Sequence, residues 1–514
     1  MNMEELKKLI YQGEKVDIEC KKAEGSVPKT VYESYSAFAN TKGGYIVLGV
    51  KEDKTKTTME ERFIIQGIDN PLKQKEDFWN TINSSKVNIN LLKDEDVEIV
   101  KQDDISLIVI HVPRADFNIR PVYIGENPYK GTYKRNHEGD YHATEHEIRG
   151  MIRDQNPEGN DNMIIEYYSM EDIDKETLRK YRQIFEIRNE DHVWNSLDNK
   201  TFMEKLGGYR KDRRTGVEGL TLAGLMMFGT GQAIRERFDN VFMDFRDESH
   251  VTADMRWNDR ITYDGMWENN LFNFFTKVTP KLIEDLKRPF KLEDGMQRID
   301  DTPVHKAVRE GFVNMIIHAD YLMDAGVLKV IKGYDFFEFT NPGILKLPLE
   351  DIYRGGNSKS RNPHMQTMFR LVGFGDNAGS GFPTILQVWE NEGWIKPKLI
   401  EDTNLNQVTL VLKMKKPENV IENVIENVIE ISEEKVKELI PEYSKKKITK
   451  ACKILKMISE NPHVSTDELR VALDVTDRTI ARYISELKDK GIIKRKGPDN
   501  GGEWKIIGKI FKYI

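Results

Sequence analysis

Glu310 and Asn314 stand four residues apart in VHKAVREGFVNMIIHADY, a spacing that puts both side chains on one face of a helix. An acid and an amide so placed can serve a nucleotide, the amide binding Mg2+ and the acid orienting a water. Phe312, Val313, Ile316 and Ile317 form the apolar side of the same helix, expected over residues 304–319, with His318 and Asp320 at its end. Downstream come FTNPGIL from Phe339, SRNP from Ser360 and the glycine-rich GFGDNAGSGF from Gly373. The last precedes a helix, where backbone N–H groups can meet phosphates. The same features also suit a fold that packs this helix and hydrolyses nothing.

A second set of carboxylates lies near the start. VDIECK alternates, so Val16, Ile18 and Cys20 face one way and Asp17, Glu19 and Lys21 the other. Glu14, Glu19 and the Glu52-Asp53 pair can converge at the ends of neighbouring strands. Three carboxylates there would hold Mg2+ or Mn2+ and activate water for phosphodiester cleavage. The plainer alternative is an exposed strand face with a Glu–Lys pair. His137, His142 and His146 read as surface histidines, and Trp257 and Trp267 near Arg256 and Arg260 as core packing.

A third chemistry is carried by the tail, ITKACKILKMISENPHVSTDELRVALDVTDRTIARYISELKDKGIIKRKGPDNGGEWKII from Ile448. Ser465 with Glu468 three residues on is a capping box. The helix after Thr476 presents Arg478, Thr479, Arg482 and Tyr483 outward while Ile480, Ile484 and Leu487 face a core. Ile492 to Lys496 and Trp504 to Ile507 then make a hairpin. Helix, helix, turn, helix and hairpin is the winged helix-turn-helix order. Arg478, Thr479 and Arg482 are placed to meet DNA in a major groove, and Lys494, Arg495 and Lys496 to meet phosphate. A winged helix used for protein contact is the alternative.

Composition frames these elements. The 514 residues exceed one ordinary core, and 39% hydrophobic with 32% charged suits a globular, helix-rich chain. No run of 18 apolar residues occurs, so no membrane partner is expected. Cys20 and Cys452 are too few for a zinc site or a disulfide framework, which points to the cytoplasm. The net charge is -7, yet residues 441–514 hold 17 Lys/Arg against 10 Asp/Glu, the pattern of a nucleic-acid-binding module on an acidic body. ENVIENVIENVIE, from Glu418 to Glu430, reads as a linker helix or as a seam that would make a homo-oligomer. No G-x-x-x-x-G-K-[ST] stretch is present, which disfavours P-loop ATPases.

Three resemblances add to this. The tail resembles the winged-helix domains of bacterial transcription regulators. E-x-x-x-x-E-x-K from Glu14, AFANTKGG and YIVLGVKED together look like the Schlafen AlbA-like domain, and YKRNHEGDYHATEHEI from Tyr133 resembles the segment that closes it. That resemblance implies nucleic-acid binding. It also implies, as in members that are metal-dependent ribonucleases, a carboxylate trio at Glu14, Glu19 and Glu52, with Asp53 one place beyond register. The stretch over 301–415 resembles GHKL (Bergerat-fold) ATPase domains, in the divergent form that accompanies Schlafen AlbA-like domains in bacterial regulators. This implies ATP with Mg2+ as cofactor, Asn314 as metal ligand and Glu310 as the water-activating acid. It puts Asn341 and Gly343 in the adenine box, where Asp is usual, and Gly379 and Gly381 in the phosphate lid.

The expected fold class is α+β and multidomain. A mixed α/β domain over 1–156 is followed by a mainly helical connector over 163–300 and a Bergerat-like α/β sandwich over 301–415. A linker helix over 416–447 leads to a winged helix over 448–514. The expected function is an ATP-responsive, DNA-binding transcriptional regulator, with RNA as a further partner. The alternative is a metal-dependent RNA or DNA nuclease gated by nucleotide, in defence against foreign nucleic acid.

Overall fold

The apolar run from Tyr45 and the one from Leu107 lie side by side at the centre of the N-terminal domain. In the computed structural model, β1 (Ile18–Lys21) pairs in parallel with β2 (Gly44–Leu48), and β2 pairs antiparallel with β6 (Ile105–Val112). β5 (Val97–Gln102) closes the four-stranded sheet, in the order β1-β2-β6-β5. A short hairpin joins β3 (Val50–Glu52) to β4 (Phe63–Ile65). α1 (Met3–Ile10) buries Met3, Leu6 and Ile10 with Val47, Leu107 and Val109. α2 (Thr30–Asn40) and α3 (Pro71–Ile82) bury Tyr35, Phe38 and Phe78 with Ile46, Ile108 and Ile110. β7 (Tyr133–Asn136), β8 (Gly139–His142) and α4 (Glu145–Asp154) complete the domain.

The structure describes residues 2–11, 17–56, 58–136, 139–239, 241–251, 255–286, 292–293, 297–298, 301–323, 326–356, 359–375, 381–415, 437, 440, 443–460, 464–473, 475–490, 492–496 and 503–506. They divide into two units, Met1–Lys416 and Pro417–Ile514. No helix among them is long and apolar enough to cross a membrane.

A single hydrophobic core runs from Ile165 to Leu412. α5 (Lys175–Arg188), α6 (Asn199–Leu206) and the wholly buried α7 (Leu222–Phe228) pack with α8 (Leu271–Ile283). They continue into α9 (Pro303–His318), where the Phe275 and Phe312 rings lie 5.1 Å apart. The six-stranded sheet beneath them has the order β10-β9-β11-β12-β14-β13. Its strands are β9 (Val241–Asp247), β10 (Asp259–Ile261), β11 (Gly326–Lys332), β12 (Phe336–Pro342), β13 (Lys398–Asp402) and β14 (Gln407–Lys413). α10 (Pro363–Leu371) and α11 (Gly381–Asn391) pack into the same core.

This corrects one expectation. The stretch 163–300 is not a separate helical connector, because β9 pairs in parallel with β11 over the full register from Val241↔Gly326 to Asp247↔Lys332. The 300/301 boundary therefore falls inside one core. The physical reason is that α7 and α8 are too apolar to stand alone; Phe274 and Phe275 pack against Phe312 on α9, and Phe275 also against Phe369 on α10. The α+β, multidomain class holds.

In the second unit, α12 (Lys445–Glu460), α13 (Thr466–Leu473) and α14 (Asp477–Asp489) precede β15 (Ile493–Lys496) and β16 (Glu503–Ile506). The strands pair antiparallel, Arg495 opposite Trp504. Trp504 closes the core by donating its indole N–H to the Val464 carbonyl at 3.0 Å. The expected linker helix and repeat lie mostly outside the described residues; Ile440 and Tyr443 join the core of this unit.

Candidate functional site

α9 begins where Thr302 accepts a hydrogen bond from the His305 N–H and Pro303 presets the first turn. Its apolar stripe is buried, and the opposite stripe, Glu310, Asn314 and His318 at four-residue steps, is half-buried. All three line a cavity, together with Asn341 from β12 and Gly381 from α11. Phe339, Leu399, Val408 and Leu410 supply apolar wall, and Lys346, Lys359 and Arg361 supply cationic wall. Five residues singled out in the sequence, from three separate stretches, thus share one cavity.

Gly381 is there for space. A Cβ at this position would come within 1.9 Å of Glu310 Oε1, so a larger residue would push the carboxylate aside. Asn341 is buried, and its amide donates to the Pro342 carbonyl at 3.1 Å. Gly343 is not in this cavity but lines a neighbouring one. Its φ of +98° and the 2.8 Å from a built Cβ to Arg361 Nη1 explain the glycine by backbone geometry instead. Gly379 lies outside the described residues.

The SRNP stretch holds the C-terminal end of α9. The last carbonyls of a helix lack intrahelical partners. Here Arg361 donates to His318 O at 2.5 Å, and Asn362 Nδ2 donates to Ile317 O at 3.2 Å and Ala319 O at 2.8 Å. Arg361 is itself buried and forms a bidentate pair with Asp154 on α4, both bonds 2.8 Å. Burial works against the Arg361 charge, but Asp154 outweighs it and holds the guanidinium above its ordinary pKa. Burial, then Arg361 and Lys346, push the His318 imidazole down to about 4, so it is neutral at pH 7. Burial also draws the Lys346 ammonium down to about 8 against the pull of Asp154, with Arg361, Lys359 and Arg120 adding to the fall.

The N-terminal carboxylates are arranged differently. Glu19 is not on an exposed face; it is 7% exposed because Arg135, fully buried, donates to it at 2.6 Å. Lys21 donates to its other oxygen at 2.6 Å. Arg135 also reaches Asp140 at 2.9 Å and Ile18 O at 2.9 Å. Glu52 accepts from Arg62 at 2.8 and 2.5 Å. Glu14 lies outside the described residues, and among the described residues no three His, Cys, Asp or Glu side chains are placed to hold a metal ion. AFANTKGG is a fold signature here: Ser36 and Asn40 both donate to Val122 O at 2.7 Å, and Thr41 accepts from the Arg135 N–H at 2.9 Å.

In the winged helix, Ser465 and Glu468 form the expected capping box, with backbone bonds of 2.7 and 3.2 Å. Arg478 and Arg482 on α14 and Lys494 on β15 are exposed. Thr479 is half-buried, its hydroxyl 2.9 Å from that of Thr476, and Arg495 stacks over Trp504 at 4.7 Å. The side chain of Lys496 lies outside the described residues. Tyr483, expected outward, is buried edge-on against Tyr443 at 6.2 Å. Burying the ring outweighs exposing it on a face where only the hydroxyl is polar.

Sequence reasoning missed Lys346, Lys359, Arg361 and Asp154. SRNP and FTNPGIL flagged the neighbourhood, but no spacing rule links residue 154 to residue 361.

Comparison with known proteins agrees with this division. Residues 14–144 match the model described as Schlafen, AlbA_2, and residues 149–244 match a domain of unknown function, DUF8451. Residues 333–412 match the "Putative ATP-dependent DNA helicase recG C-terminal" model, and residues 450–494 match "Winged helix-turn-helix DNA-binding". The chain thus combines an AlbA_2 Schlafen domain, an ATPase-like domain and a winged helix, domain types of a DNA-binding, ATP-linked, regulator-type protein. The third match begins after α9, so geometry, rather than that match, brings Glu310 and Asn314 to the site. No curated protein matches the chain. A crystal structure of the DIP2311 protein from Corynebacterium diphtheriae is similar over 96% of this chain and 92% of that one, at 16% identity and a TM-score of 0.37. A solution structure of the N-terminal domain of a "Putative ATP-dependent DNA Helicase RecG-related Protein" from Nitrosomonas europaea covers 26% of this chain and 88% of its own, at 25% identity and a TM-score of 0.22.

Proposed function

We propose that the cavity under α9 binds ATP with Mg2+ in the manner of a divergent GHKL-type domain, and that the chain is an ATP-responsive, DNA-binding transcriptional regulator. The observation that carries this reading is the meeting of Glu310, Asn314, Asn341 and Gly381 in one cavity with Lys346, Lys359 and Arg361. The donor set fits the group. An amide and a carboxylate can reach a hydrated Mg2+, which prefers oxygen ligands. The cationic wall suits phosphates, and the apolar wall suits a base. Bound Mg2+ would neutralise phosphate charge and polarise the terminal phosphoryl group.

The protein's own side chains have separable tasks in this reading. Asn314 holds the metal's side of the nucleotide. Glu310, kept against Gly381, accepts a proton from water. Asn341 meets the base edge. Lys346 and Lys359 neutralise phosphate oxygens, and His318 stays uncharged beside them. Arg361 and Asn362 fix the end of α9 so that its half-buried stripe keeps one orientation. Arg478, Arg482 and Lys494 contact DNA.

Calorimetric titration with ATP and Mg2+ tests the site. Wild-type protein should bind, and Asn314→Ala should weaken binding about ten-fold, the loss of one charge-assisted contact. Equal affinity in the two proteins sinks the assignment. Fluorescence anisotropy on duplex DNA, with and without nucleotide, tests the regulator. Arg478→Ala should weaken binding and lower the slope of log affinity on log salt by about one. A DNA affinity indifferent to ATP removes the word "responsive".

A further inference from the structure

Arg120 sits between the N-terminal sheet and the loop that follows β12. It is 1% exposed. Among the described residues it forms no ion pair, and its Nε and Nη1 have no hydrogen-bond partner. Nη2 reaches only the Leu345 and Lys346 carbonyls, each at 3.5 Å, the outer limit of a hydrogen bond. Burying a guanidinium without an anion is expensive, and water does not remove the charge.

Beside it lies the second cavity, lined by Arg120, Lys134, Arg361, Glu147, Asp154 and Asp320, among others. Its carboxylates are already engaged. Asp154 is held by Arg361 through two 2.8 Å bonds, Asp320 by Arg153 at 3.1 Å, and Glu147 by Lys134. Arg120 is the charge left over.

We propose that this second cavity is an oxyanion site that takes a phosphate group, with Arg120 as its charge partner and Lys134 and Asn406 as further donors. Each donor lines the cavity. The guanidinium fork matches two oxygens of a phosphate. Nε and Nη1 are dry, so the fork turns toward the cavity on binding. Burial, then Arg114 and Arg361, draw Arg120 down to about 10 against the pull of Asp154 and Glu401. The site does not depend on the nucleotide reading, because its residues come mainly from the N-terminal domain. It does share the loop from Gly343 to Lys346 with the first cavity.

Calorimetry on the full chain, without nucleotide, tests it with two variants. Arg120→Met replaces the charge by an apolar group of similar length. Gly150→Glu puts a carboxylate on α4 at the cavity wall, where an added Cβ meets nothing nearer than 3.8 Å. One arm uses inorganic phosphate, the other a 5′-phosphorylated tetranucleotide against its unphosphorylated form, which separates a free anion from a nucleic-acid end. Wild-type protein should bind in at least one arm, and both variants should bind at least about ten-fold more weakly there. If neither phosphate source binds wild-type protein better than chloride at equal ionic strength, the proposal is wrong. It is equally overturned if both variants bind like wild type. The wild-type comparison stands even if Arg120→Met does not fold.

Discussion

Glu19 and Glu310 are both acids that their sequence surroundings mark for chemistry, and the fold treats them in opposite ways. Glu19 is buried, with Arg135 and Lys21 on its two oxygens, and Arg135 is further tied to Asp140 and Ile18. Glu310 is half-buried at a cavity wall, with the backbone of Gly381 drawn in close. A carboxylate that neutralises a fully buried guanidinium supports the fold, and removing it exposes a charge to low dielectric. A carboxylate facing a cavity can change partners at little cost to the core. The difference lies in what faces each acid, not in the acid itself.

The comparison can be broken most decisively at Glu19. Glu19→Ala should lower stability by about 3 kcal/mol, because it takes a carboxylate partner from the fully buried Arg135. Urea denaturation checks this, and wild-type stability in that variant would show that Glu19 is available for other work. At the opposite site, Gly381→Ala should leave stability within about 1 kcal/mol of wild type, since the displaced group is the end of a flexible side chain. The same variant should cut ATP turnover roughly 100-fold by moving Glu310. A fall in stability with turnover unchanged would reverse the roles assigned to the two acids.

Asn314→Ala should weaken ATP about ten-fold while stability stays within about 0.5 kcal/mol of wild type, a split that calorimetry and denaturation together can read. The smallest effect concerns pH. Lys346 loses its proton near pH 8 in the folded protein, against an ordinary value of 10.5. Nucleotide affinity should therefore fall roughly three-fold as pH rises through 8, and Lys346→Met should abolish that step. The stability linkage has the opposite sign. Between pH 8 and 10.5 the unfolded chain binds more protons than the folded one, so this lysine's contribution to stability rises with pH. A pH-independent affinity in the wild type would place Lys346 away from the phosphates.

Much of this architecture was legible in the amino-acid sequence. Four-residue spacing located the α9 stripe of Glu310 and Asn314, and the capping box at Ser465 and Glu468 marked the start of α13. Alternation in VDIECK located β1, and the runs from Ile492 and Trp504 located the β15–β16 hairpin. These are local signals, carried by 3.6- and 2-residue periods and by backbone groups a few positions apart. The 300/301 boundary failed because β9 finds its neighbour β11 across more than a helix's worth of intervening chain. Tyr483 failed because its partner, Tyr443, lies on the far side of two helices in sequence.

The sequence by itself determined which residues have the right chemistry: a carboxylate–amide helix face, a glycine at the start of α11, a basic recognition helix. Only the tertiary structure decided which acids pair with a buried cation and which line a cavity. It set Arg135 against Glu19, Arg361 against Asp154, and left Arg120 buried with no ion pair among the described residues. Charge type is written in the covalent chain. Desolvation and pairing depend on contacts between residues more than a hundred positions apart, and only packing brings those together.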